Sequence, residues 1–302
     1  MIQIVHKKEE ANCITHNGTM HADEIFATAF LDLYLKDLKV FRTSKIDPST
    51  VKQDTFIYDI GLGEYDHHQM DALKRENGIV YSSFGLLWKK FGISFLEKRK
   101  VPFPEEVFLG IDKDLVEEID AEDNGIFPTI EASYRVKTLN GLFKIFNPSY
   151  QSNQTEDSQF ILAVSVAKTI LEQEITYIQG KVLANKKINE LIENTSVGTK
   201  YLVLEEYLPY EDILLSNSKC DSILFVAYPS NRGGYAIKTV PISMKNRTAR
   251  LEFPSEWAGL NEKELEKVSG ISGLKFCHRG RFLVTCDSLD SAYQVLKFMC
   301  SK

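Results

Sequence analysis

Short apolar runs and amphipathic stretches take turns along the first half of the chain. Ala11-Asn-Cys-Ile-Thr15 is a short apolar run that ends in the polar loop His16-Asn-Gly-Thr-Met-His21. From about Ala22, residues Phe26, Ala29, Phe30 and Leu33 recur at i, i+3, i+4 and i+7, which predicts a helix. Lys39-Val-Phe-Arg42 and Thr55-Phe-Ile-Tyr58 predict two further strands, with a loop at Ile46–Thr50 between them and turn signals at Gly61 and Gly63. Helical patterns follow at Ser82–Phe91 and Glu105–Ile119. Strands alternating with helices imply an α/β fold with a mostly parallel sheet and a site at the carboxyl ends of its strands.

A stretch rich in Asn, Pro, Ser and Gln at residues 140–158 marks a connection. Beyond it, Phe160, Val164, Ala167, Leu171, Ile175, Ile178 and Val182 form one stripe of a long helix that starts near Glu156 and runs into the 190s. The rest is richer in strands: Ser222–Tyr228, Tyr235–Val240, Leu274–His278 and Phe282–Cys286, then a last helix from about Ser288. The expectation is a two-lobe α/β protein. Residues 1–150 would form the metal-binding catalytic domain, and 151–302 a connecting helix and a smaller substrate-binding α/β domain.

Composition narrows the class. The 302 residues are 43% apolar and 26% charged, enough to bury a full core and far from a disordered or collagen-like chain. No apolar run reaches the ~18 residues that a membrane span needs. The amino-terminal residues lack the apolar stretch of a signal peptide and are too acidic for a transit peptide, so the cytoplasm is the expected compartment. Cys13, Cys220, Cys277, Cys286 and Cys300 are odd in number and contain no Cys-x-x-Cys, which argues for reduced thiols rather than a zinc knuckle or a disulfide framework. Residues 1–150 carry 18 Lys and Arg against 24 Asp and Glu, whereas the remainder has 18 of each. A nonspecific nucleic-acid binder would show a basic excess somewhere. The acidic excess points instead to surface carboxylates or to carboxylates gathered around cations.

Histidine placement makes the second option concrete. Five of the six histidines lie in the first 68 residues, and four of them sit in two groups beside aspartates. The first group is His16-x4-His21-x-Asp23; Asp23 or Glu24 could equally cap the following helix. Asp59 closes an apolar strand, where it could also be a turn residue. Asp66-His67-His68 is the second group, in which adjacent side chains are expected to diverge, one to metal and one to substrate. Ile119-Asp-Ala-Glu-Asp-Asn-Gly125 places acidic groups at a helix carboxyl end, an unfavourable location that calls for a cation or solvent. Imidazole and carboxylate donors without thiolate suit Mn²⁺ better than structural zinc.

Taken together these motifs resemble the DHH phosphoesterase superfamily. More narrowly, Thr15-His-Asn-Gly-Thr-Met-His-Ala-Asp-Glu24, Gly63-Glu-Tyr-Asp-His-His-Gln69 and Ile119–Gly125 resemble the melanocyte-proliferating-gene family. Phe146-Asn-Pro-Ser149, Phe253-Pro-Ser-Glu-Trp257, Gly259-Leu260 and Val268–Gly273 extend the likeness along the chain. The resemblance departs at Ala22, where the family often has cysteine, and at His278-Arg-Gly-Arg281, which replaces a glycine-rich stretch.

The resemblance implies two divalent ions, usually manganese with magnesium as the alternative, and a 3′–5′ exonuclease acting on RNA or a short oligonucleotide through a metal-activated water. By the same likeness His16 and His21 would ligate one ion, Asp23, His67 and Asp120 the other, and Asp59 would bridge them. Asp123 is the rival of Asp120, and it and His68 would otherwise stand beside the reacting phosphoryl group. His278, Arg279 and Arg281, with Lys238, are candidates for substrate contacts in the second half. The competing functions are a pyrophosphate or dinucleotide hydrolase and a metal-loaded binding protein with little turnover. Oligomeric state is not legible.

Overall fold

The computed structural model describes residues 2–301. They form a mixed α/β structure in two compact units that divide between Val182 and Leu183. In the first unit, β1 (Gln3–Val5), β2 (Cys13–His16), β3 (Lys39–Thr43) and β4 (Phe56–Ile57) make a sheet of order β1-β3-β2-β4 with every pairing parallel. β2 lies inside the sheet, with His16 opposite Thr43 at its carboxyl end. Tyr58 extends β4 by donating its backbone N–H to Ile14 (3.1 Å), so Asp59 emerges at the same end of the sheet as His16.

The helices α1 (Ala22–Tyr34), α2 (Ser83–Lys98), α3 (Pro104–Ile111), α4 (Glu117–Asp123) and α5 (Leu139–Phe143) complete this unit with the first part of α6 (Glu156–Glu193). The periodicity of α1 predicts a one-sided apolar stripe, yet every residue from Ala22 to Leu31 is buried. The cause is that α2, α4 and α5 all pack against it. Phe26, Phe30, Phe84, Trp88, Phe95 and Phe143 form the aromatic centre of that core. The single helix expected at Glu105–Ile119 is α3 and α4 joined without a break by a π-helical turn, Asp112–Val116. Gly85, in the first turn of α2, lies so close to Asp120 that a Cβ there would collide with its carboxylate.

The stripe on α6 reaches two cores. Phe160, Val164, Leu171, Ile175 and Ile178 pack into the first unit, whereas Ile188 and Ile192 pack into the second. The division therefore falls inside the helix and not at residue 150 ahead of it.

The second unit holds β5 (Tyr201–Val203), α7 (Glu211–Ser216), β6 (Phe225–Pro229), β7 (Tyr235–Thr239), α8 (Glu262–Ser269), β8 (Leu274–Cys277), β9 (Leu283–Cys286) and α9 (Leu289–Cys300). Its sheet has the order β5-β6-β7-β9-β8; β5 pairs parallel to β6 and the other pairings are antiparallel. All five cysteines are unpaired thiols, four of them buried and Cys300 half-buried. Among the described residues no helix is long and apolar enough to cross a membrane.

Candidate metal centre

The carboxyl end of the first sheet opens into a cleft of about 450 Å³ lined by His16, His21, Asp59, Asp66, His68 and Asp123. Each side chain arrives by a different device. His16 ends β2, and His21 is the residue from which α1 starts. The loop between them is clamped by Asn147, whose side chain accepts from the Met20 N–H (2.7 Å) and donates to the Met20 carbonyl (3.0 Å). Asn140 accepts from the Ala22 N–H two residues further on (3.3 Å). The Asn-Pro pair noted in the sequence thus supplies a backbone partner for the loop that carries His16 and His21.

Asp59 has a left-handed backbone, φ 55°, a conformation that aspartate tolerates better than most residues and that occurs often at functional sites. Its carboxylate stands 3.1 Å from His16 Nε2, 3.8 Å from His67 Nδ1 and 3.7 Å from His68 Nδ1. Asp66 accepts from the Leu62 N–H (2.7 Å) and, through its other oxygen, from the backbone N–H of His68 (3.1 Å), and that oxygen lies 2.7 Å from His68 Nδ1. This folded-back turn overrides the expected divergence of His67 and His68. Their rings stack at 4.3 Å with 28° between planes, and both reach toward Asp59. They differ in burial instead: the His67 side chain is 5% exposed and that of His68 58%.

Three groups of ligand atoms, each within 4.8 Å of one another, result: His16, His21 and Glu24; Asp23, His67 and Asp123; and Asp59, Asp66, His67 and His68. Asp59 connects them, because it reaches His16 in the first group and His67 in the second. Glu24 belongs here although it reads in the sequence only as a cap. Fully buried, it accepts the His21 N–H (2.9 and 3.0 Å) and stands 3.7 Å from His16. Asp66 likewise reads only as the first letter of a motif, and its support of His68 is a second role that the sequence leaves unspoken.

Of the two aspartates of α4, Asp123 is the one that faces the histidines. Its carboxylate lies 2.9 Å from His67 Nε2. Asp120 is turned away and saturated: one oxygen accepts from the Ser82 N–H and hydroxyl, the other from Arg75 Nε and Nη2. Asp23 sits at the start of α2, accepting from the Ser83 (3.1 Å) and Phe84 (2.7 Å) N–H groups.

His278, Arg279 and Arg281 lie in the second unit, on the turn joining β8 and β9. His278 Nδ1 accepts from the Gly280 N–H (2.9 Å), Arg281 pairs with Glu252, and Arg279 is exposed. Lys238 pairs with Glu211 at 2.5 Å.

The electrostatics of the cleft favour a cation. Burial pushes the Asp23 carboxyl well above its ordinary value, and the charges of Asp59 and Asp123 push it further. Burial also raises Glu24. Burial opposes charge on His16, but its bonds to Asp59 and Glu24 prevail and raise it to about 11. His67, likewise disfavoured by burial, is raised to about 9 by Asp123 and the charges of Asp23 and Asp59. Carboxylates crowded this closely need a compensating positive charge. His67 Nδ1 is buried without a hydrogen-bond partner, as expected of an atom kept for a ligand. Donor chemistry and orphaned nitrogen both fit divalent ions.

Residues 12–299 match the profile of the uncharacterised protein family UPF0160, the MYG1 exonuclease family. The chain belongs to the MYG1 family. It is 28% identical to the MYG1 protein of Dictyostelium discoideum, covering 89% of this chain and 90% of that one. It is 27% identical to the MYG1 protein of Chlamydia trachomatis, covering 94% and 95%. Human MYG1 exonuclease is 28% identical over 89% of this chain and 80% of the relative. Among solved structures, RecJ of Thermus thermophilus in complex with Mg²⁺ aligns with 95% of this chain and 48% of its own at 14% identity, with a TM-score of 0.26, too distant a likeness to carry an argument. The melanocyte-proliferating-gene resemblance seen in the motifs is thus confirmed, and the MYG1 membership spans both units.

Proposed function

We propose that this protein is a metal-dependent phosphodiester hydrolase, a 3′–5′ exonuclease of RNA or short oligonucleotides that uses two Mn²⁺ ions. The observation that carries this reading is Asp59, one carboxylate within reach of both histidine groups. The names of the mammalian relatives, MYG1 exonuclease, support the substrate class. His16, His21 and Glu24 would hold one ion and Asp23, His67 and Asp123 the other, with Asp59 between them. Bound there, the ions would lower the pKa of a water and neutralise phosphate charge, which lets an acidic unit receive a polyanion. His68, exposed at the mouth and oriented by Asp66, would hydrogen-bond the phosphoryl group and supply the proton that the leaving oxygen takes.

The test is a panel of short RNA, short DNA, pyrophosphate, a dinucleotide and a minimal phosphodiester, each with Mn²⁺, Mg²⁺ or chelator. Trimming of RNA from its 3′ end, abolished by chelator, is expected. Preferred turnover of pyrophosphate or a dinucleotide would replace the reading with its nearest rival. Metal binding without turnover of any substrate would make the protein a binding module.

The second unit would anchor phosphates remote from the cleaved bond, through Arg279 and Arg281 together with His278 and Lys238. Arg281 and Lys238 would have to exchange Glu252 and Glu211 for substrate, so Arg279 is the strongest of these. Alanine at Arg279 and Arg281 together should weaken oligonucleotide binding by roughly 1–3 kcal/mol. Hydrolysis of the minimal phosphodiester should stay unchanged. Equal losses on both substrates would assign the arginines to folding instead.

A further inference from the structure

The most elaborate buried charge network in the first unit lies outside the metal-facing groups. Arg75 projects from a tight turn in which its own N–H bonds the Ile79 carbonyl (2.7 Å) and its carbonyl accepts the Gly78 N–H (2.9 Å). Its guanidinium lies 4.5 Å from the centre of the Tyr81 ring and directs four of its five N–H groups at two aspartates. Nη1 and Nη2 make a bidentate bond with Asp112 (2.6 and 2.9 Å), while Nε and Nη2 bond Asp120 (2.8 and 2.7 Å). Asp112 opens the π-helical turn and Asp120 lies on α4, so one side chain ties together both ends of the irregular passage between α3 and α4.

Two consequences converge on the same cluster. Asp120 and Asp123 are three residues apart on α4 and share a face. Fixing the first therefore sets where the second meets His67, at 2.9 Å. Asp120 also receives the Ser82 N–H (2.9 Å) and hydroxyl (2.7 Å), pinning the start of α2. The next two N–H groups of that start, Ser83 and Phe84, bond Asp23 (3.1 and 2.7 Å). Gly85 lets α2 approach this closely, since a Cβ would strike Asp120. Both carboxylates grouped with His67 are thus placed through Asp120. His16, His21 and Glu24 are held by β2, α1 and the Asn147 clamp and bond neither Asp120 nor the residues that Asp120 bonds.

We propose that Arg75 is a positioning residue for one metal site alone: through Asp120 it aims Asp23 and Asp123 at the ion that they share with His67. The inference rests on the two-ion reading above and adds to it a residue that touches neither ion nor substrate. Groups that orient metal ligands typically change affinity by about 10–100-fold when replaced.

The experiment titrates Mn²⁺ into the full-length metal-free protein, with bound ion followed by calorimetry and by electron paramagnetic resonance. The wild type should take two ions and show the signal of a coupled pair. Arg75→Gln should keep one ion bound as in the wild type, at the His16 site, weaken the other by about tenfold or more, and show an isolated-ion signal at the loading that gives a coupled pair in the wild type. Arg75→Lys, which retains charge but cannot reach both aspartates with a planar fork, should fall between. Asp112→Asn should shift the second site in the same direction and by less, and it decides the matter if Arg75→Gln does not fold. Unchanged binding at both sites, or equal weakening of both in a folded variant, overturns the proposal. A wild type that binds no ion overturns the metal-centre reading itself, an outcome the variants cannot mimic.

Discussion

Asp59→Ala should empty the cleft of metal. Analysis after mild dialysis is expected to give about two divalent ions per chain for the wild type, as for a two-metal site, and close to none for the variant. The size of the effect follows from position. Each histidine group retains neutral or singly charged donors without Asp59, but among the described residues no other carboxylate pairs with both His16 and His67. Removing it also leaves the two ions to repel one another without a shared anion between them. The backbone contributes as well, because alanine accepts the φ of 55° less readily than aspartate. Asp59→Asn separates these causes: it keeps the conformation and removes the charge. Full occupancy in Asp59→Ala would sink the bridging assignment.

His68→Ala should have the opposite signature, with metal retained and hydrolysis lost. The imidazole is mostly exposed at the cleft mouth and is held by Asp66 on one side and the His67 ring on the other. Its loss should reduce turnover by about 10²–10⁴-fold, the range for removing a positioned proton donor or acceptor, while ion content stays near the wild-type value. His67→Ala should instead lose the ion shared with Asp23 and Asp123. Because the two rings stack and both face Asp59, the reverse result is chemically coherent: an empty second site in His68→Ala and a full one in His67→Ala would exchange their roles.

The sequence carried the strands and helices that build the sheet's carboxyl end: β2, β3, α1 and α2 each have enough residues to display a period, and the two-residue β4 lies in the apolar run Thr55–Tyr58 that the Gly61 and Gly63 turn signals close. It missed β1 and β5, which have three residues apiece, too few for alternation to register. The π-helical turn was invisible because one extra residue per turn changes no residue type. At the site, the ligand-type residues announced themselves by clustering, but their division of labour did not. Asp23 and Glu24 are adjacent on a helix and therefore about 100° apart. Each serves a different group, an arrangement that only the surrounding elements determine. Asp120 and Asp123 pose the converse difficulty, because at i and i+3 they share a face and periodicity cannot choose between them. Arg75, 45 residues from Asp120 along the chain, is what occupies Asp120 and leaves Asp123 facing His67. Nothing local to either residue revealed it.

The Asn147 clamp has a consequence for the order of folding. Every side chain assigned to metal lies between His16 and Asp123, yet the loop that presents His16 and His21 is closed by a residue 127 positions beyond Met20. A nascent chain released only to residue 130 holds all of the donors but lacks the clamp on the loop that carries His16 and His21. Contacts of such long sequence separation form late, after the local helices have nucleated. Ion capture is therefore expected as a closing step of maturation rather than as the seed around which this unit collapses, and an incomplete chain should leave divalent ions unbound.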